Sequence, residues 1–295
     1  MKKTLILVIL LIVVCLQNNS LHAQKSNLEK SGVKGQVKSC VSESYTLKYN
    51  DSVPEMPADT INHVYTKKMY NDQGYILEIS SSYSTPDNLV KQSEYIYNEE
   101  RLEKIILYGQ DSKEFSTMLF KYDKKGNQVE SDLTPSKSAH KQTSVFKYDR
   151  NNRVIKETIH YYYEEKEYKK TEAKNKYDKR DNIIKTRETE YTDKSEKEEY
   201  VFSYVYDESG NMIELSIYTP EDKSEYKCIS EYNEHGDMLK ETCYDDGTTV
   251  GETEVNLYRY KYDNHNNWIK KDHYFVVGDN EKLKNVDIRE FKYYD

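Results

Sequence analysis

A chain of 295 residues with 52 acidic against 44 basic side chains, formal charge −8, lacks the basic surface that nucleic acid and anionic lipid require. Apolar residues make up 36%, with 30 tyrosines and a single tryptophan, against roughly 45–50% in ordinary domains. Burial must therefore rest on tyrosine rings, whose hydroxyls still reach water, and a thin extended sheet suits this better than a deep globular core.

Lys2 and Lys3 precede the apolar run Leu5 to Leu16, and Gln17 to His22 lead to Ala23-Gln24. A basic n-region, a short apolar stretch and a small-residue cleavage site are the layout of a secretory signal peptide over residues 1–23. The run is shorter than the roughly 20 residues needed to span a bilayer, and no later run could span one. Lipidation at Cys15 is the lesser alternative, because Val14 stands where a small residue is wanted. Removing residues 1–23 takes the charge from −8 to −10. The expected destination is the periplasm, the outer surface or the medium.

Residues 24–60 read as a leader. Residues 24–32 are expected to be mobile, Val37, Val41, Tyr45, Leu47 and Tyr49 form a first strand, and Asn50 to Asp59, with Pro54 and Pro57, form a loop.

Residues 61–295 repeat. Tyr70, Tyr97, Tyr122, Tyr148, Tyr177, Tyr206, Tyr232 and Tyr262 recur at spacings of 25 to 30 residues, with a partial copy at Phe291-Lys292-Tyr293. Tyr122-Asp123-Lys124-Lys125-Gly126-Asn127-Gln128-Val129 and Tyr206-Asp207-Glu208-Ser209-Gly210-Asn211-Met212-Ile213 are the clearest copies. A second aromatic often stands two residues before the tyrosine, and an aliphatic (Leu77, Val129, Ile155, Ile184, Ile213, Leu239 or Ile269) follows the turn. Period-2 aromatics favour strands, and Asp, Asn and Gly supply turn conformations. Each copy is a β-hairpin needing its neighbours for burial. Second turns lie at Thr85-Pro86-Asp87-Asn88, Thr219-Pro220-Glu221-Asp222, Asp245-Asp246-Gly247 and Val277-Gly278-Asp279-Asn280. The expected fold is all-β: an antiparallel meander of about 16–18 strands forming an extended, curved or spiralling sheet, without helices.

Placing both apolar sets of a hairpin on one face pairs Tyr206 with Ile213 and Tyr232 with Leu239. Cys228 then lies directly opposite Cys243, as adjacent thiols or as a disulfide; the residues leave both open. Cys40 is left over.

At the Tyr-Asp-x-x-Gly-Asn turns the chain resembles the YD-repeat (rearrangement-hotspot, RHS-like) class, whose signature is Tyr-Asp-x-x-Gly-Arg, over roughly residues 65–295. It is most similar to secreted, uncharacterised tyrosine-rich repeat proteins of Bacteroidota. The resemblance implies β-hairpin strips that spiral into a curved wall. The chain departs from it in having Asn127, Asn182, Asn211 and Asp237 at the arginine position, a longer period, and no cargo-like domain after the repeats. The turn is scaffold in such repeats, so no functional residue carries over.

The seven histidines form no His-x-x-x-His pair and the cysteines no Cys-x-x-Cys, so no metal ligand set is assigned. There is no phosphate loop and no nucleophile elbow, and thus no catalytic residue or cofactor. The Asp/Asn/Gly turns are explained by hairpin chemistry and lack calcium-loop spacing. Trp268 is the ligand-contact candidate, placed by register on the polar face away from the aromatic one. The resulting expectation is an exported, non-enzymatic β-repeat protein acting as a binding or structural module of the cell envelope. Alternatives are a carbohydrate-binding surface protein using Trp268 and exposed tyrosines, and a glycoside or other hydrolase with a shallow acidic cleft. Partners would be a glycan, an envelope protein, or a second copy paired through open edge strands.

Overall fold

The computed structural model describes residues 26–50, 53–192, 197–245 and 253–294. The expected signal peptide, Cys15 and the turn residues Asp246 and Gly247 lie outside these. A single helical turn, α1 (Asn27–Lys30), is followed by β1 (Val37–Asn50), β2 (Val53–Tyr70), β3 (Ile76–Ser82), β4 (Val90–Asn98), β5 (Arg101–Tyr108) and β6 (Glu114–Tyr122). Next come β7 (Gln128–Pro135), β8 (His140–Tyr148), β9 (Val154–Tyr163), β10 (Lys166–Tyr177), β11 (Ile183–Thr192) and β12 (Lys197–Tyr206). The chain ends with β13 (Met212–Thr219), β14 (Ser224–Tyr232), β15 (Met238–Tyr244), β16 (Thr253–Tyr262), β17 (Trp268–Val277) and β18 (Asn280–Tyr293).

Each strand pairs antiparallel with its neighbour in sequence, and the 18-stranded meander closes on itself. The seam is β1, which pairs with β18 (Cys40↔Phe291) on one side and with β2 (Cys40↔Lys68) on the other. The sheet is therefore a closed barrel, not an open or spiralling strip. Closure also removes the free edges on which edge-strand self-association depended. The proline-containing segment expected as a loop is largely strand, since β2 begins at Val53.

The repeat explains the local geometry. In the Tyr122 turn, Asp123 Oδ1 accepts from the backbone N–H groups of Lys125 (2.8 Å) and Asn127 (2.9 Å), while Asn127 Nδ2 donates to Asp123 Oδ2 (3.0 Å). Asp178–Asn182 and Asp207–Asn211 repeat this arrangement, and at Asp149 an arginine, Arg153, takes the asparagine's place through Nε (2.8 Å). Gly126 has φ +86°; Asn152, Asp181 and Asn266 occupy the same left-handed position elsewhere, a conformation Asn and Asp tolerate best after glycine.

After each of these turns the ladder slips by one residue. Tyr206 pairs with Met212 rather than Ile213, and the pairing resumes at Val205↔Glu214 and Tyr204↔Leu215. Beyond the slip the register is the one the apolar pattern implies, including Cys228↔Cys243. The same bulge falls at Leu77, Glu103, Val129, Ile155, Ile184, Leu239 and Ile269. A bulge puts two residues opposite one, so the recurrent aliphatic turns outward and the residue before it joins the tyrosine face.

That face is the barrel interior. Phe202 is 1% exposed on it, and Tyr204, Leu215, Ile217, Cys228 and Cys243 are buried beside it. Leu119 (48%) and Val205 (46%) stand on the opposite, convex face, as expected when side chains converge on the inside of a closed sheet and splay on the outside. The outer wall carries ion pairs within its strands: Lys227–Glu214 (2.9 Å), Lys156–Glu172 (3.0 Å), Lys91–Glu78 (3.1 Å) and Arg187–Glu199 (3.3 Å).

The segment expected to be a mobile leader is docked at the tyrosine-turn rim. Ser26 and Glu29 form a reciprocal capping box on α1, a Ser-x-x-Glu signal present in the sequence. Asn27 Oδ1 accepts from Ile76 N (2.9 Å) and Tyr97 Oη (3.2 Å), and Leu28 packs with Val37, Cys40, Tyr70 and Ile76. Lys34 exchanges two hydrogen bonds with the Asn267 side chain (2.7 and 2.8 Å). The leader thus ties together the turns on both sides of the β18–β1–β2 seam. Gly74 (φ +81°) lies so close beneath it that an added Cβ would meet Ser26 Oγ at 2.9 Å.

Candidate functional site

The interior is built by the repeat tyrosines. The hydroxyls of Tyr122, Tyr148, Tyr177, Tyr206 and Tyr232 donate to the carbonyls of Leu102, Gln128, Val154, Ile183 and Met212, at 2.6 to 3.0 Å. Every acceptor is the residue before the bulge in the preceding hairpin, where the ladder is interrupted. Each hairpin thereby seals the irregularity of the one before it, which phenylalanine could not do. In the last copies the pattern shifts: Tyr262 donates to Asp237 Oδ2 (2.7 Å) and Tyr260 takes the Met238 carbonyl (2.8 Å). Tyr97 reaches the leader, and Tyr70 is buried beneath it.

Above this ring the interior wall is polar and acidic. Glu157 (7% exposed) and Glu188 (3%) lie in one row across β9, β10 and β11, separated by Ala173. Burial raises both carboxyls to about 7, helped at Glu157 by the charge of Glu188 and at Glu188 by that of Glu190. Glu190 itself pairs with Lys169 (2.7 Å). Glu241 lies on the same interior face, its pKa raised by burial and then by Glu254. Glu157 and Glu188 therefore exchange protons near neutrality. They line the interior and make no shallow surface cleft.

Nearer the seam, His273 Nε2 lies 2.8 Å from Asn256 Oδ1 and its Nδ1 3.3 Å from Asn285 Nδ2, with the ring stacked on Tyr258. Burial lowers its pKa to about 4, so the ring is neutral. An amide donor at Nδ1 then places the proton on Nε2, facing the Asn256 oxygen.

Trp268 does not stand on the outer polar face. It follows the Asp263 turn as the residue before the bulge at Ile269, pairs with Tyr262 and is half-buried on the interior side. The bulge reverses the alternation from which its outward placement followed. Its ring packs edge-on to Tyr260 at 6.3 Å and beneath the Arg289 guanidinium at 3.2 Å. Arg289, Glu157 and Glu188 are the interior groups that a motif search passes over. The available signal was phase: Arg289 alternates with Phe291 and Tyr293, so it shares their face.

Cys228 and Cys243 are opposite each other on the interior wall and joined as a disulfide. Glu241 lies within metal-ligand distance of both sulfurs, but the S–S bond removes the thiolates a metal would need. Cys40 is buried and unpaired, and burial pushes its thiol pKa up, the environment of an inert cysteine. No helix among the described residues is long and apolar enough to cross a membrane.

No family profile and no curated protein matches the sequence. Among solved structures, a porin-like protein from Bacteroides uniformis aligns with a TM-score of 0.45 and 9% identity, covering 87% of this chain and 98% of that one. A porin-like protein from Bacteroides vulgatus gives 0.44 and 11%, covering 88% and 99%. The TcdB2–TccC3–Cdc42 complex gives 0.27 and 12%, covering 78% of this chain and 14% of that one. At these scores the likenesses carry no inference about activity.

Proposed function

We propose that the protein is an exported, non-enzymatic barrel that stands in water within the cell envelope and binds a carbohydrate in its interior. The observation that carries this reading is the distribution of charge between the two faces. A membrane-spanning barrel needs an outward apolar band about 25 Å tall, and each Lys or Arg at its midplane costs about 2–4 kcal/mol. Here Lys156–Glu172, Arg187–Glu199 and Lys227–Glu214 occupy outward positions along the strands. Such a wall belongs in water.

The interior supports the choice of ligand. Half-buried interior rings such as Tyr200 and Tyr258 offer flat apolar faces for a sugar ring, and interior polar groups that are not fully buried, such as Glu190 and Asp287, offer partners for its hydroxyls. Trp268 is the aromatic contact that can report occupancy. Export rests on the basic and apolar pattern of residues 1–23.

Neutral and acidic oligosaccharides titrated into the purified protein, with tryptophan emission and calorimetry as readouts, test the reading. Saturable binding of at least one class supports it, and no heat and no emission change across both classes would overturn it.

A further inference from the structure

Arg289 is the least explained charge in the interior. It sits on β18 opposite Ser42 of β1, half-buried, with its guanidinium stacked on Trp268 at 3.2 Å and over Phe291 at 5.1 Å. Nε donates to the Trp268 carbonyl (3.1 Å). The two Nη groups make no hydrogen bond or ion pair among the described residues. The carboxylates nearby are already engaged: Asp287 with Lys271 (2.8 Å) and Ser44 (2.6 Å), Asp237 with the Tyr262 hydroxyl (2.7 Å).

A half-buried cation whose nearby carboxylates, Asp237 and Asp287, make their direct bonds to other partners gains from a further anion. Guanidinium is the group best suited to hold a planar oxyanion through two parallel hydrogen bonds. Here its orientation is fixed in advance by the Trp268 stack and the Nε bond, so little side-chain entropy remains to be lost on binding.

We infer that Arg289, held on Trp268 beside Ser42, is an oxyanion-binding site that takes the carboxylate or sulfate group of an acidic saccharide. This rests on the interior being the ligand compartment, and it specifies which end of the ligand is recognised and by what.

Trp268 is the only tryptophan in the chain, and the proposed site lies on its ring, so emission excited at the red edge of the indole band reads the site directly. Trigalacturonate, maltotriose as the neutral counterpart, and sodium sulfate would each be titrated into the purified wild-type protein, Arg289→Gln, Arg289→Lys and Ser42→Glu. Trigalacturonate is expected to change the emission saturably, with binding weakened roughly tenfold or more in Arg289→Gln and partly restored in Arg289→Lys, which keeps charge without the planar fork. Ser42→Glu leaves Arg289 in place and supplies an internal carboxylate opposite it; it is expected to abolish the response while retaining the far-ultraviolet spectrum of the wild type. That variant serves if Arg289→Gln does not fold.

Sulfate acting as strongly as trigalacturonate would keep the site and assign it to free anions. The inference would be overturned by no response of the wild type to either anion, or by unchanged binding in a folded Ser42→Glu. Maltotriose binding equally well to wild type and Arg289→Gln, with no anion response, would also overturn it, while leaving the carbohydrate reading of the interior standing.

Discussion

The hydroxyl of Tyr177 donates to the carbonyl of Val154 at 2.7 Å, joining the turn-proximal end of β10 to the first residue of β9. Tyr177 precedes one turn, and Val154 is the last residue before the bulge that follows the previous one. Tyr177→Phe keeps the ring and removes the bond. It is expected to destabilise the barrel by about 1 kcal/mol, because Asn175 Nδ2 still donates to the same carbonyl (2.9 Å). Urea unfolding of the two proteins measures this, and an unchanged midpoint would show that the hydroxyl is incidental.

The period-2 aromatics and Asp/Gly turns specify hairpins, because both are local signals. The Cys228–Cys243 register was legible for the same reason. Closure was not, since it depends on β1 meeting β18 across more than two hundred residues of chain, and no local pattern encodes whether a meander curls enough to meet itself. Trp268 was misplaced because a single bulge at Ile269 inverts the face of the residue before it. Arg289 lay in phase with the aromatics, but one charged residue in that phase carries no motif.

Glu188 and Glu157 make stability depend on pH in an unusual direction. Their folded pKa values, about 7, lie above the ordinary value of 4.5. Between pH 4.5 and 7 the folded state therefore holds more protons than the unfolded one, and stability falls as pH rises through that window. His273, lowered to about 4, works in the opposite sense between pH 4 and 6.5 but is a single group against two. Glu188→Gln is expected to raise stability at pH 7.5 by up to about 3 kcal/mol, with the difference fading below pH 4.5. Thermal melts of both proteins at pH 4.5, 6 and 7.5 give the comparison; a constant difference at all three values would contradict the assignment.

Alkaline titration should expose the tyrosine scaffold. Burial raises Tyr70, Tyr122, Tyr177 and Tyr206 to about 12. The folded state keeps these protons above pH 10 while the unfolded chain loses them, so stability drops as pH rises from 10 towards 12. Phenolate absorbance should show an early gradual phase from exposed rings and then a steep step coinciding with loss of the far-ultraviolet signal. A single smooth transition near pH 10 with the fold retained would mean that the rings are wet.

The disulfide between Cys228 and Cys243 closes a short hairpin loop, and replacing both residues with serine is expected to cost about 2–3 kcal/mol. In the chain from residue 24 onward, a non-reducing thiol assay should find Cys40 alone, reactive only after denaturation. Two further thiols under the same conditions would show that the pair is reduced.

The central claim is that the charged face points outward and the tyrosine face inward. Light scattering of the protein purified without detergent, combined with Triton X-114 phase partition, tests it most directly. A single monomeric species remaining in the aqueous phase is the predicted result. Aggregation that only detergent relieves, with the protein in the detergent phase, would contradict it.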